Sequence, residues 1–294
     1  MGMDIAVAGE HVKDATSFHF PFGYHVELPL LDFGTLRLGA LDLPVLGHIP
    51  AVEIPLRLQL TKFMVLELIV AVLMVLIFVP LAWRLRGGRP PRGRFVTFFD
   101  VILCYIRDQV ARPAIGKHEA DRYLPFLWNL FFFILFCNLM GLLPWAGSPT
   151  GTLSVTGALA VLTFAMVVGA GIQEHGLAGY VKSLVPHMEL KGVLGIILKL
   201  MLWAIEFAGL CIKHAVLAVR LMANMFAGHL VLAVILSFIA AVANFWLILW
   251  FGVTIASVAG QIALMMLELF VAFLQAYIFT FLAALFIGMS IHAH

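Results

Sequence analysis

The stretch HAVLAVRLMANMFAGHL, residues 214–230, decides the fold. It is almost a membrane helix, yet Arg220 stands at its centre with His214 and His229 on either side. A guanidinium cannot shed its proton, and placing it deep in a bilayer costs at least a few kcal/mol. Such a side chain has a task, or a partner that compensates it. The apolar run around it, residues 192–244, is far longer than the ~20 residues that one upright helix needs. It is followed by ANFWLILWFG, residues 243–252, whose asparagine, glycine and two tryptophans suit a turn at an aromatic interface belt. The reading is a pair of long, tilted, antiparallel helices joined near residues 243–252, since a long helix stays in a bilayer by tilting or bending.

Composition agrees. Hydrophobic residues make up 63% of the 294 and charged residues 12%, and the mean hydropathy is +1.06. A soluble domain is closer to half apolar and a quarter charged, so the class is an all-α, polytopic membrane protein. A net charge of +2 gives no reason to expect nucleic acid. Cys104, Cys137 and Cys211 lie in or beside apolar segments without metal-ligand spacing and read as packing residues.

Ahead of the hairpin, residues 1–60 form one unit, an extramembrane arm that is acidic and proline-bearing and lacks the features of a cleavable signal peptide. Its His11, His19, His25 and His48 are irregularly spaced, so a solvated, partly irregular arm is favoured over a zinc site. Residues 61–294 are the integral membrane domain. The first span is residues 62–83, followed by RLRGGRPPRGR, a loop with five arginines that is expected to stay cytoplasmic. That orientation leaves the arm outside. Residues 95–116 mix Asp100, Arg107, Asp108 and Arg112 with apolar residues at helical spacing, which predicts an amphipathic helix at the cytoplasmic interface, ended by Pro113. Upright spans are expected at 123–144 and about 152–172, joined outside by PWAGSPTG, with a cytoplasmic loop over 174–191.

Within the hairpin the polar inventory is Lys199, Glu206, Lys213, His214, Arg220, Asn224, His229, Glu268 and Gln275. Glu206 stands roughly 21 Å from Arg220 toward the cytoplasm, and His229 roughly 13 Å toward the outside. Asn224 shares the face of Arg220. Glu268 and Gln275, seven apart, share a stripe. If Gln275 is level with Arg220, antiparallel folding brings Glu268 close to the level of His229, to within two residues. Titratable groups above and below a fixed cation suggest two half-paths for protons with a barrier between them. The simpler readings are snorkelling for Lys199 and Lys213, a structural tie for His229 with Glu268, and interhelical hydrogen bonds for Asn224 and Gln275. A structural Arg220 would need a carboxylate at its own level. The hairpin supplies none, so the counter-charge is expected on another subunit.

VRLMANMFAGHL together with LELFVAFLQAYIFTFL, and LPFLWNLFFFILFCNLMGLLPW before them, resembles subunit a of the F-type ATP synthases from about residue 60 to the C-terminus. The resemblance implies a stator channel beside a rotating c-ring, held also by b subunits, in a bacterial plasma membrane, with the C-terminus cytoplasmic. It implies no cofactor or metal, and no catalysis by the chain alone. The family's essential arginine falls on Arg220, its asparagine on Asn224, and its outer half-channel pair on His229 and Glu268. Its glutamine falls on Gln275, and its cytoplasmic half-channel acid on Glu206. Many bacterial members carry acid and histidine in the opposite order, and this chain has the mitochondrial arrangement. Met222-Ala223 replaces a frequent Phe-Gly. In the implied mechanism, Arg220 attracts each ionised ring carboxylate and repels protons that would cross directly. Each proton crossing 100 mV supplies about 2.3 kcal/mol.

Two other classes compete. An ion-coupled secondary transporter also buries Arg, Glu and His at mid-membrane, but it predicts inverted repeats and broken helices that are not evident. A haem-binding redox subunit would use His214 and His229, yet these are fifteen residues apart on one helix, and the second helix offers no histidine before His292.

Overall fold

The computed structural model describes the backbone of residues 17–19, 25–27, 30–38, 41–43, 47–49 and 52–59, and residues 61–85, 93–143, 147–183, 193–242 and 246–292. Most of the arginine-rich loop (86–92), the PWA segment (144–146), residues 184–192 and the hairpin tip (243–245) lie outside the described residues, as does His11.

From Thr61 onward the described residues are mostly helical, as expected. Among them five helices are long and apolar enough to cross a membrane. These are α1 (Lys62–Leu85), α4 (Ala120–Gly141), α5 (Leu153–Ser183), α6 (Val193–Ala241) and α7 (Leu247–Ile291). Between α1 and α4 come α2 (Arg94–Tyr105), a π-helical turn (Ile106–Ala111) and α3 (Arg112–Ile115).

The arm adds short strands to the all-α membrane domain. β1 (Ser17–His19) pairs antiparallel with β2 (His25–Glu27), setting His19 opposite His25. β3 (Leu30–Leu38) pairs with β6 (Val52–Gln59), and inside them β4 (Leu41–Leu43) pairs with β5 (Gly47–Ile49). Leu38 faces Val52 and Leu41 faces Ile49, so the inner ladder continues the register of the outer one as a single long hairpin. The residues of β6, VEIPLRLQ, alternate apolar and polar with the period of a strand. Pro55 is tolerated because each strand of a two-stranded ribbon has a free edge.

Two boundaries also differ. Pro113 does not end the amphipathic segment. It lies in the first turn of α3, where a missing N–H costs little, and the segment stops at Gly116, φ 108°. The expected loop after the third span begins inside α5, which bends at Gly176 (φ 71°, ψ 164°) and then continues to Ser183. Glycine alone enters that region without strain. The bend returns Tyr180 onto Gly171, where any side chain would collide with the Tyr180 ring.

The core lies where α4, the π turn and α3 meet the second half of α7. Leu127, Leu130 and Ile134 of α4 pack with Ile106, Val110 and Ile115, and with Ala276, Phe279, Ala283 and Ile287 of α7. Phe78 of α1 closes this core against Phe132 (ring centroids 4.6 Å) and Phe99 (5.6 Å). Gly288 lets α7 approach Ala114 and Ile115 at backbone distance. Ser290 Oγ donates to Val167 O at 2.8 Å, and His292 Nε2 lies 2.9 Å from Ile115 O. The end of α7 is thereby tied to both α3 and α5.

Candidate functional site

α6 and α7 are 49 and 45 residues long. At 1.5 Å per residue they reach roughly 74 and 68 Å, about twice the thickness of a bilayer core. α7 buries much of one face against the other helices, whereas α6 is scarcely covered. Leu217, Ala218, Leu221 and Met225 mark the covered side of α6. At 100° per residue, Glu206, Lys213, Arg220 and Asn224 fall within about 40° of arc, at the border of that side. The exposed Val216, Val219, Phe226 and Leu230 occupy the adjoining open face. Arg220 and Asn224 are half-buried, and Glu206, Lys199 and Lys213 are exposed. Among the described residues no carboxylate lies within ion-pair distance of Arg220.

A side chain of α7 meets the backbone of α6 at Gly228. The Glu268 side chain fills the space a Cβ would take there: such an atom would overlap Oε1 and stand 2.9 Å from Cδ. A carboxylate from α7 therefore rests on the backbone of α6 one residue before His229, whose Nε2 is buried without a hydrogen-bond partner among the described groups. Counting antiparallel from Glu268 on Gly228, Gln275 comes level with Leu221, next to Arg220. Gln275 is 5% exposed, and its Nε2 has no described partner. By this count Glu268 stands level with His229, and Gln275 level with Arg220. Glu206 stands apart, about ten turns of helix below the tip of α6.

A buried polar chain beneath this pair was not anticipated. Asn138 of α4, fully buried, donates through Nδ2 to the carbonyl of Ala272 (3.4 Å), between Glu268 and Gln275. Its Oδ1 accepts from Thr150 Oγ1 (2.7 Å), and Ser148 Oγ is 2.7 Å from Thr150 Oγ1. Gly141 is the only residue type that lets Ser148 approach α4 so closely. Lys62, at the start of α1, is also buried, 2% exposed. Glu67 borders a cleft of about 450 Å³ between α1, α4 and α5. The one sequence signal for these residues was a polar type inside an apolar run, Asn138 and Glu67 being the clearest cases.

His214 belongs to the core. It is 3% exposed, stands edge-on to Phe164 at 5.3 Å and near Phe286 at 5.1 Å, and its Nδ1 lies 2.9 Å from Leu210 O. A ring so enclosed is a poor axial ligand. Among the described residues no group of three His, Cys, Asp or Glu side chains is placed to hold a metal ion.

The sequence pattern of the ATP synthase A chain family matches residues 64–288. The chain is similar to ATP synthase subunit a of Myxococcus xanthus, 40% identical over 80% of this chain and 74% of the relative. It is similar to the subunit a of an Anaeromyxobacter species, 36% identical over 98% of this chain and 71% of the relative. For the subunit a of Anaeromyxobacter dehalogenans the identity is 41% over 69% of this chain, which spans half the length of that relative.

Proposed function

This chain belongs to the ATP synthase A chain family, and from that premise we propose that it is the proton-conducting stator subunit of the membrane sector of an F-type ATP synthase. Protons enter from the arm side past His229 and Glu268 and neutralise a carboxylate on a neighbouring ring of c subunits. After most of a turn they leave near Glu206. Arg220 stands between the two paths. Its charge is permanent, so it attracts an ionised ring carboxylate and repels a proton moving straight across. Gln275 and Asn224 supply amide dipoles that orient the guanidinium. The arm lies outside and the C-terminus in the cytoplasm, with b subunits completing the stator.

The observation that carries this reading is Glu268 resting on Gly228. It brings a carboxylate and an imidazole to one level of the hairpin, while Arg220 stands about two turns away beside a face of α6 that nothing among the described residues covers. Ala223, exposed next to that arginine, is the natural probe. Ala223→Cys in the assembled complex should crosslink to a small hairpin protein that co-purifies as a ring. Crosslinks to lipid alone, with no ring retained, would exclude the stator reading.

A further inference from the structure

α1, α2 and α4 enclose a cleft of about 360 Å³ at the end of the bundle that carries the arginine-rich connection. Its inner wall is apolar, formed by Phe78 and Leu81 of α1 with Phe132 of α4. Its outer wall carries Asp100 and Arg107. Trp128 lines the base and ties α4 to α2 by donating from Nε1 to Leu103 O at 3.1 Å, just before the π turn. Such turns commonly mark functional positions.

Asp100 and Arg107 lie seven residues apart, nearly on one stripe and about 10 Å apart along the axis. Arg107 donates from Nε and Nη2 to Asp108, each at 3.0 Å. A guanidinium has five N–H donors, so three remain. Asp100 is half-buried and has no ion-pair partner among the described residues. The cleft thus offers an acceptor and a donor cluster of opposite charge above an apolar slot. Phe98, Val101 and Tyr105 of the same segment are exposed, as suits a helix lying at lipid headgroup depth.

The slot is a small cleft of about 360 Å³, within the size range of small-molecule sites. We propose that it holds the headgroup-proximal part of one acyl chain of a phospholipid with a primary-amine zwitterionic headgroup, phosphatidylethanolamine, its ammonium on Asp100 and its phosphate on Arg107. An anionic headgroup would leave Asp100 facing a like charge. A quaternary amine has no N–H to donate to the carboxylate.

Trp128 reports occupancy. The full chain is placed in phosphatidylcholine vesicles containing a small fraction of phosphatidylethanolamine or phosphatidylglycerol with brominated acyl chains. The Trp128 signal is the difference between the native chain and Trp128→Phe. The brominated amine lipid should quench this signal several-fold more strongly than the brominated glycerol lipid. Asp100→Asn should abolish the preference. The unbrominated amine lipid should relieve the quenching, whereas free phosphoethanolamine should not. Equal quenching by the two lipids, a preference that survives Asp100→Asn, relief by the free headgroup, or no quenching of Trp128 would each overturn the assignment. Should Trp128→Phe fail to fold, the same comparison between the native chain and Asp100→Asn, read on total tryptophan emission, decides it.

Discussion

The carboxylate of Glu268 lies on the backbone of Gly228, and this contact sets the axial register of the two longest helices. It explains why a residue without a side chain precedes His229. Any Cβ at 228 would push α7 outward and lift its carboxylate away from the level of the imidazole. Asn138 holds the same stretch of α7 from the opposite side, through the Ala272 carbonyl.

Gly228→Ala should therefore lower proton flux without preventing membrane insertion. Overpacking a fitted contact typically costs 1–3 kcal/mol, or about five- to a hundred-and-fiftyfold if expressed wholly in the path. Dye-monitored proton uptake in vesicles reads the rate. An unchanged rate would mean that the Glu268 position is irrelevant to conduction.

His229 and Glu268 should behave as a coupled pair. Losing either lowers flux, and losing both costs less than the sum of the single losses, as expected for groups in one network. The double exchange His229→Glu with Glu268→His should retain more activity than either single exchange. A double exchange worse than both singles argues against a shared path.

Arg220→Lys replaces an always-protonated group with an ammonium whose pKa falls on burial. It should abolish ATP-driven pumping and synthesis, with the subunit still assembled. Arg220→Ala should also leak protons passively under an imposed potential. Substantial coupled synthesis by the alanine variant would defeat the barrier role.

Asp108 accepts two hydrogen bonds from Arg107 at 3.0 Å and one from Arg112 at 2.8 Å. The Arg107 guanidinium holds its carboxyl below the usual carboxylate range. A depressed folded-state pKa stabilises above the ordinary value, ~3.9, and the contribution is lost as pH falls through the folded-state value. Asp108→Asn should lower the melting temperature at neutral pH, and the gap to the native chain should narrow as pH is brought below about 4. A gap that does not change with pH would show that the pair contributes nothing through charge.

His118 is exposed in the connection between α3 and α4, the end expected to be cytoplasmic from the arginine cluster at 84–94. His118→Cys should resist an impermeant thiol reagent in sealed right-side-out vesicles and react in inverted ones. The opposite pattern would exchange the inner and outer half-paths.

Much of the helical part was legible because its signals are local. Arg220 in an apolar run, two runs too long for single spans and the aromatic turn between them led to the α6–α7 hairpin. The spacing of Glu268 from Gln275 foretold an approach that the Gly228 contact now locates. The strands of the arm were equally local. The alternation of VEIPLRLQ is a period-two signal, obscured by Pro55 and by the charges of the arm. Pro113 misled because a proline stops a helix only where its N–H is needed. The Asn138, Thr150 and Ser148 chain was not legible. Its partners are a distant carbonyl and two residues beyond a turn, and no periodicity connects them.

The way α7 ends has a mechanical meaning. Gly288 meets Ala114 at backbone distance, Ser290 bonds to Val167, and His292 lies against Ile115, so three independent fastenings join this end to α3 and α5. In the proposed stator role, a ring turning against the open face of α6 would exert torque on it. Part of that load would pass across the seam at Gly228 into α7, and from there through the fastenings into the rest of the bundle. The last turns of α7 would then be the brace of a bearing, and loosening them should let the hairpin yield to the rotor while every proton-carrying side chain is intact.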